Sequence, residues 1–199
     1  MQIYLIRHTR PAVPEGLCYG RRDVPLDEAD LEASLPGIAS HLPDSLTFYS
    51  SPATRCTRLA VRLATACGGT LAAFDPRLHE LDFGDWEGKP WRDLPRHETE
   101  RWTSDIVGNA PPNGEHFTAM WRRVTEAYRS ILGEAWRDDA PGVVVVGHAG
   151  SLKVLLMQAL KLELAQYACA DIAQGRVTCI EVSRNAAGEP VERLMFLNR

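Results

Sequence analysis

The sequence predicts an α/β fold: a three-layer α/β/α sandwich around a mostly parallel central sheet. Short apolar runs without polar alternation are typical of strands that are covered on both faces. Patterns of helical period lie between these runs, as expected where helices connect parallel strands. A hairpin pattern near the carboxyl end predicts that one edge of the sheet is antiparallel. We expect a single domain spanning residues 1–199. Its predicted strands are 3–6, 46–49, 71–74 and 143–146.

Three stretches of the chain are predicted to be helices. Apolar residues recur on one side of the helical wheel over 52–67 and again over 114–137. Residues 151–161 are apolar almost all round. We therefore expect this last helix to be buried.

Two further segments complete the predicted architecture. The hairpin is expected over 175–183 and 191–197, around a turn at 185–188. Residues 80–113 do not fit the alternation of strand and helix, because they are rich in Trp, Pro and charged side chains. We expect them to form an irregular helical insertion over the active-site end of the sheet.

Composition narrows the class of protein. The formal charge of −4 argues against a polyanion such as nucleic acid as the main partner. The five cysteines include no Cys-x-x-Cys spacing, and the chain has no His-x-His or Asp-x-Asp run. We therefore expect neither a metal nor another cofactor. No run of eighteen apolar residues and no signal-peptide pattern is present, so we expect no membrane association and a cytoplasmic location.

Two histidines follow the ends of predicted strands. His8 comes after the run 3–6, and His148 comes after the run 143–146. The carboxyl ends of strands are where open α/β sheets bind their ligands. A lone histidine at such a place is often a packing residue, but two at equivalent ends favour a site.

Arginines accompany both histidines. Arg7 lies between an apolar strand and His8, where it needs an anionic partner. Arg55 falls in the first turn of a predicted helix, where the helix dipole opposes a cation unless an anion binds. Two such guanidinium groups suit a phosphoryl group. Arg58 and Arg62 are interpreted as a solvated face instead.

Transfer of a phosphoryl group also needs an acid for the leaving oxygen. The segment 78–88 supplies four carboxyl groups, and spacing alone does not choose among them. They are Glu80, Asp82, Asp85 and Glu87. Gly147-His-Ala-Gly150 opens a predicted helix, whose free backbone N–H groups suit an anion.

These motifs together resemble the histidine phosphatase superfamily, in its phosphoglycerate-mutase-like branch. The resemblance is carried by Leu5-Ile-Arg-His8, Ser50-Ser-Pro-Ala-Thr-Arg55, Leu78-His-Glu-Leu-Asp-Phe-Gly84 with Trp86-Glu-Gly88, and Gly147-His-Ala-Gly150. It implies a metal-independent phosphatase with His8 as the phosphorylated nucleophile and Arg7 and Arg55 as phosphate ligands. It also implies His148 as the second histidine of the phosphate pocket and Glu80 as the proton donor.

Within the superfamily, the chain is most similar to the α-ribazole phosphatases. The similarity lies in Cys18-Tyr-Gly20, in Asp23-Val-Pro-Leu26 and in Leu81-Asp-Phe-Gly-Asp-Trp-Glu-Gly88. It implies α-ribazole 5′-phosphate, of cobalamin nucleotide-loop assembly, as the small-molecule substrate. The family's Asn after the Arg-His motif is absent, and Thr9 or Arg10 is its expected replacement. The candidate substrate-binding residues are Arg7, Thr9, Tyr19, Gly20, Arg55 and Ala149.

Four alternatives remain open at this point. The first three are a broad-specificity phosphatase, a phosphoglycerate mutase and a non-catalytic phosphate-binding scaffold. The fourth comes from Cys56 and Arg62, whose Cys-x5-Arg spacing matches cysteine phosphatases, although the residues between them are bulky and helical. Trp86, Trp91, Trp102 and Trp121 are interpreted as packing residues or as a wall for a nucleoside base.

Overall fold

The computed structural model describes every residue from Met1 to Arg199 and contains one six-stranded sheet. The strands are β1 (Gln2–Arg7), β2 (Thr47–Ser50), β3 (Thr70–Phe74), β4 (Gly142–Gly147), β5 (Val177–Arg184) and β6 (Pro190–Phe196). Their order across the sheet is β3-β2-β4-β1-β5-β6. The first four are parallel, whereas β5 and β6 pair antiparallel. The predicted parallel sheet with an antiparallel edge is confirmed.

Helices cover both faces of this sheet. They are α1 (Glu28–Ala39), α2 (Thr54–Ala66), α3 (Arg96–Ser104), α4 (Phe117–Arg137) and α5 (Ala149–Ala159). Alternate residues of each strand point to opposite faces. In β1, Ile3 and Leu5 join the core under α4 and α5, while Tyr4 and Ile6 join the core under α1 and α2. The three-layer prediction is thus confirmed.

One helix, α1, was not predicted. Its sequence contains Pro36, and proline inside a helix removes a backbone hydrogen bond, which weakens the pattern. Two signals for it do exist. Asp27 caps the helix by accepting the N–H groups of Ala29 and Asp30, both at 3.1 Å. Leu31, Leu35 and Ile38 are buried at helical spacing.

Some predicted bounds need correction. Helix α2 begins at Thr54, two residues after Pro52, so Arg55 still lies in its first turn. Helix α4 begins at Phe117 with His116 at the N-cap, because residues 111–114 form a turn against the insertion. The insertion over 80–113 contains α3 and the short 3₁₀ helices Gly84–Trp86 and Trp91–Asp93. None of the helices is both long enough and apolar enough to span a membrane.

Candidate active site

The sheet topology brings the two predicted histidines together. Strands β1 and β4 are neighbours, with Arg7 in register with Gly147, and the His8 N–H donates to the Gly147 carbonyl at 3.0 Å. The His8 and His148 rings are 5.4 Å apart between centroids. On the other side of β4, the Ser51 N–H donates to the Val146 carbonyl at 2.9 Å. Three strand ends therefore build one site.

A cavity of about 260 Å³ opens at this point. Its lining combines charged or polar residues with apolar and aromatic ones. Its lining residues are Arg7, His8, Gly16, Leu17, Tyr19, Gly20, Arg55, Glu80, Phe83, Trp91 and His148.

The His8 ring is buried and oriented by the backbone. Its Nδ1 lies 2.7 Å from the Thr9 carbonyl oxygen, which can only accept, so Nδ1 carries the proton and Nε2 is left with a free lone pair. Burial, the Arg55 charge and the Arg7 charge together lower the pKa of His8 to about 3. The ring is consequently a neutral imidazole near pH 7.

The His148 ring is also buried, and its two nitrogens face different partners. Nε2 lies 2.8 Å from the Ser51 hydroxyl, and Nδ1 lies 3.2 Å from an Arg55 Nη2. Burial and the nearby charges of Arg55 and His8 hold the pKa of His148 well below its ordinary value. A guanidinium N–H can only donate, so Nδ1 accepts from Arg55, while Nε2 carries the proton and donates to the Ser51 hydroxyl.

Arg55 is completely buried and is fixed before any ligand binds. Its Nη1 donates to the Arg22 carbonyl at 3.0 Å, and its Nη2 donates to the Gly20 carbonyl at 2.7 Å. Its Nε has no partner. Asp23, whose carboxylate is 3.9 Å from Nη1, is the nearest acid, and it is half exposed.

Arg7 shows the same arrangement. Its Nη1 donates to the Ile172 carbonyl at 2.8 Å, and its buried Nε has no partner. Buried donors are almost always paired. Two orphan guanidinium N–H groups on one cavity are therefore best explained by an anion that both would bind.

Of the four carboxyl groups that spacing left open, only Glu80 lines the cavity. Its Oε1 accepts the Leu81 N–H at 2.9 Å, and its Oε2 accepts the Gly150 N–H at 3.0 Å. Asp82 caps a turn at Gly84, at 2.8 Å. Asp85 is exposed and pairs with the Asn113 side chain at 2.8 Å.

Glu87 has a structural connection to the site that sequence reasoning missed. Its carboxylate accepts the N–H groups of Phe83, Arg21 and Arg22 at 3.0, 2.7 and 2.6 Å. It therefore fastens the loop that carries the Gly20 and Arg22 carbonyls. Because two of the three donors belong to a distant part of the chain, this role of Glu87 can be recognised only when the two segments are known to meet.

The remaining predicted residues divide into two groups. Tyr19 and Gly20 line the cavity, and a Cβ at Gly20 would lie 2.0 Å from the Leu81 carbonyl oxygen, so this position needs glycine. Thr9 is fully buried with an unpartnered hydroxyl, and Ala149 begins α5 outside the cavity lining. Arg10 is turned away into an ion pair with Asp27 at 2.9 Å.

The four tryptophans have different environments. Trp86 is buried and donates from its indole nitrogen to Glu98 at 2.9 Å. Trp102 and Trp121 pack against core clusters. Only Trp91 reaches the cavity, where Phe83, which the sequence did not single out, lies beside it. Packing is thus the role of three of the four.

Two other interpretations can be compared with the geometry. Cys56 is buried in α2, and burial raises the pKa of its thiol to about 12, so it is a poor nucleophile. Arg62 lies on the exposed face and pairs with Glu32 at 2.8 Å, while Arg58 pairs with Glu28 at 2.7 Å. No group of three or more His, Cys, Asp or Glu side chains has an arrangement that could hold a metal ion.

Known proteins have sequences and folds similar to those of this chain. The family model of the histidine phosphatase superfamily (branch 1) matches residues 3–189. The adenosylcobalamin/alpha-ribazole phosphatase of Salmonella typhi is 30% identical, over 94% of this chain and 93% of that protein. A protein of Yersinia pestis (strain Pestoides F) named "Probable phosphoglycerate mutase GpmB" is 32% identical, over 81% and 76%.

The fold is matched at full length. The crystal structure of the alpha-ribazole phosphatase from Shigella flexneri superposes with a TM-score of 0.82 at 24% identity, covering 100% of this chain and 96% of that one. At this identity the superposition establishes the fold, and the family model establishes the kinship. The chain belongs to the histidine phosphatase superfamily (branch 1).

Proposed function

We propose that this enzyme hydrolyses phosphomonoesters through a phosphohistidine on His8, with α-ribazole 5′-phosphate as its substrate. The observation that carries the proposal is the His8 ring. Its Nδ1 is committed to the Thr9 carbonyl, which leaves Nε2 as a free nucleophile in a cavity with the unpartnered Nε groups of Arg7 and Arg55.

The first step forms the phosphohistidine. The His8 Nε2 lone pair attacks phosphorus, the ester P–O bond breaks with its electron pair on the leaving oxygen, and the carboxyl group of Glu80 gives that oxygen a proton. Arg7, Arg55 and His148 stabilise the charge on the equatorial oxygens. In the second step water attacks phosphorus and gives its proton to Glu80, and the N–P bond breaks to release phosphate and restore His8.

Two observations support the substrate. The Salmonella typhi relative, which nearly spans the chain, is named for adenosylcobalamin and alpha-ribazole. A groove of about 770 Å³ shares Gly16 and Tyr19 with the cavity, so a leaving group larger than a simple sugar has room. The pairing of Arg10 with Asp27 favours Thr9 over Arg10 as the replacement for the absent Asn.

A phosphoglycerate mutase is the second candidate, because the Yersinia relative carries that name. Mutase chemistry returns the phosphoryl group to a second substrate and requires that water be kept out. The cavity of this chain opens onto the adjoining groove. This opening favours hydrolysis.

The broader predictions belong to the same proposal. We place the enzyme in the cytoplasm, where its five cysteines, all free, fit a reducing compartment. A negative formal charge argues against nucleic acid as the partner, whereas the arginines of the cavity suit a small phosphomonoester. One sheet, with core clusters on both of its faces, supports a single domain over 1–199.

The test is phosphate release by the purified protein in the presence of EDTA. The panel contains α-ribazole 5′-phosphate, other nucleoside monophosphates, phosphoglycerates and p-nitrophenyl phosphate. We expect a preference for α-ribazole 5′-phosphate, and a base-stable, acid-labile phosphoryl group on His8 in quenched samples. His8→Asn should abolish both turnover and labelling, whereas His97→Asn, at an exposed position, should keep them.

Other results would change the proposal in defined ways. Similar rates on every ester would point to a broad-specificity phosphatase with the same chemistry. Interconversion of phosphoglycerates without net phosphate release would favour the mutase. Binding of phosphate with no turnover of any substrate would leave a scaffold.

A further inference from the structure

The cavity lining includes aromatic side chains that the proposed chemistry does not use. Besides the charged and polar residues that suit a phosphoryl group, the cavity is lined by Leu17, Tyr19, Phe83 and Trp91. A site for inorganic phosphate alone would not need these apolar side chains.

Trp91 is held in place by its backbone. Its N–H donates to the Gly16 carbonyl at 2.8 Å, and an isolated bridge joins Leu17 to Pro90, the preceding residue. Its indole meets the Phe83 ring edge-on, with centroids 5.3 Å apart and planes at 86°. The ring is therefore placed by two neighbouring segments that also border the cavity.

The indole of Trp91 remains exposed where its neighbours are not. Trp91 is 38% exposed, whereas Trp86, which packs against both Trp91 and Trp102, is 1% exposed. Trp102 lies alongside Trp91 at 6.3 Å, with the planes 24° apart. Tyr19 is less available, since the Arg55 guanidinium sits over its ring at 5.3 Å. Trp91 is thus the most exposed aromatic residue of the cavity lining.

We propose that Trp91, with Phe83 at its edge, is a stacking platform for a planar aromatic ring on the leaving alcohol. The inference rests on the proposed phosphatase function and names the feature of the substrate that is selected. The cavity itself is near the lower end of ligand pockets, which span about 300–1,000 Å³. The phosphoryl group lies at His8 and the ring stacks on Trp91, with the sugar that links them in between, and the groove at Gly16 and Tyr19 leaves room for the far edge of the leaving group.

The experiment compares two esters that differ only in the ring. α-Ribazole 5′-phosphate and ribose 5-phosphate share the sugar phosphate, and adenosine 5′-phosphate supplies a second ring-bearing ester. The ratio of kcat/KM with and without the ring is measured for the wild type, Trp91→Ala and Trp91→Phe. Because the folded fraction cancels in each ratio, partial misfolding of a variant does not obscure the result. Phe74→Ala, at an exposed aromatic on β3 outside the cavity lining, is the matched control.

We expect Trp91→Ala to lower the ratio about tenfold or more, the usual scale for loss of base–aromatic stacking. Trp91→Phe should keep most of the ratio, and Phe74→Ala should leave it unchanged. Equal losses on the ring-bearing and ring-free esters would overturn the proposal. So would a wild type that uses both equally well.

Failure of the α-ribazole assignment would look different. In that case the wild type prefers adenosine 5′-phosphate or another ring-bearing ester to α-ribazole 5′-phosphate. Loss of this preference in Trp91→Ala would then support the stacking platform while contradicting the assigned substrate.

Discussion

At Gly150 the backbone comes so close to Glu80 that an added Cβ would lie 2.2 Å from its Oε1. The Gly150 N–H also donates to Oε2 of the same carboxylate. Any larger residue would push Glu80 out of its position beside the cavity. The position of the proposed proton donor therefore requires glycine at residue 150, which explains the second glycine of the Gly147-His-Ala-Gly150 motif.

Glu80→Gln should slow alkyl phosphomonoesters about 10²- to 10⁴-fold, and p-nitrophenyl phosphate far less, because its leaving group hardly needs a proton. Gly150→Ala, which displaces Glu80, should likewise slow alkyl phosphomonoesters more than p-nitrophenyl phosphate. Gly133→Ala, where an added Cβ meets nothing within 4 Å, is the matched control. Equal losses on both esters would count against Glu80 as the acid.

Sequence alone located these residues only partly. The strand ends were predictable, because apolar runs fixed where His8 and His148 fall. Which of the four carboxyl groups faces the cavity could not be predicted. They lie on an irregular segment, which has no periodicity that would separate inward from outward side chains. Ser51 belongs to the motif that ends at Arg55, but its contact with the His148 ring could not be predicted, because it needs the register of β2 against β4.

At the scale of elements, the site depends on two segments that contain neither an α-helix nor a β-strand. The segment 16–22 and the segment 80–91 are joined by the Glu87 carboxylate and by two backbone bonds between Cys18 and the pair Gly88 and Lys89, at 2.7 and 2.9 Å. Hydrophobic periodicity reports neither segment, so their contact could not be predicted. The long helices and the apolar strands could be predicted from their periodicity, whereas α1 was missed because it contains Pro36.

Glu87→Gln should loosen this junction. The amide keeps one acceptor oxygen and turns an NH₂ donor toward a backbone N–H, so one of the three bonds from Phe83, Arg21 and Arg22 is lost. We expect the free energy of unfolding to fall by about 1–3 kcal/mol and kcat/KM to fall with it, because Arg55 is bonded to carbonyls of this loop. Denaturant unfolding and phosphatase assays would measure both effects.

The control for this change is Glu100→Gln, which removes one exposed pair with Arg96 and should alter stability by less than about 1 kcal/mol. A Glu87→Gln protein with unchanged stability and unchanged activity would show that the loop is held by its other contacts.

For the whole molecule, the buried histidines make stability depend on pH. The pKa of His8 falls to about 3 in the folded state through burial and the charges of Arg55 and Arg7, and that of His148 also falls well below its ordinary value. Between about pH 3 and 6.5 the unfolded chain binds protons that the folded chain excludes. The contribution of these two neutral histidines to the free energy of unfolding is therefore fully present above about pH 6.5 and is lost as the pH falls.

His8→Asn should reduce this dependence. Each buried histidine contributes up to about 1.4 kcal/mol of unfolding free energy per pH unit in that range. The difference between the wild type and His8→Asn should therefore change with pH by about this amount, as measured by denaturant unfolding from pH 7 to pH 4. His97→Asn, at an exposed site, should run parallel to the wild type. Parallel curves for His8→Asn as well would mean that His8 is protonated in the folded protein.

The hydrogen bonds from Arg55 to two backbone carbonyls also determine when its side-chain entropy is lost, on folding or on binding. Immobilising an arginine side chain costs up to about 2 kcal/mol of conformational entropy, and here folding has already met that cost, because Gly20 and Arg22 hold the guanidinium without a ligand. An incoming anion can accept hydrogen bonds from the unpartnered Nε–H groups of Arg7 and Arg55, and the cost of ordering these two side chains is not charged to binding. Any anion that occupies the site must therefore also stabilise the fold, in proportion to the logarithm of its concentration once the site is saturated.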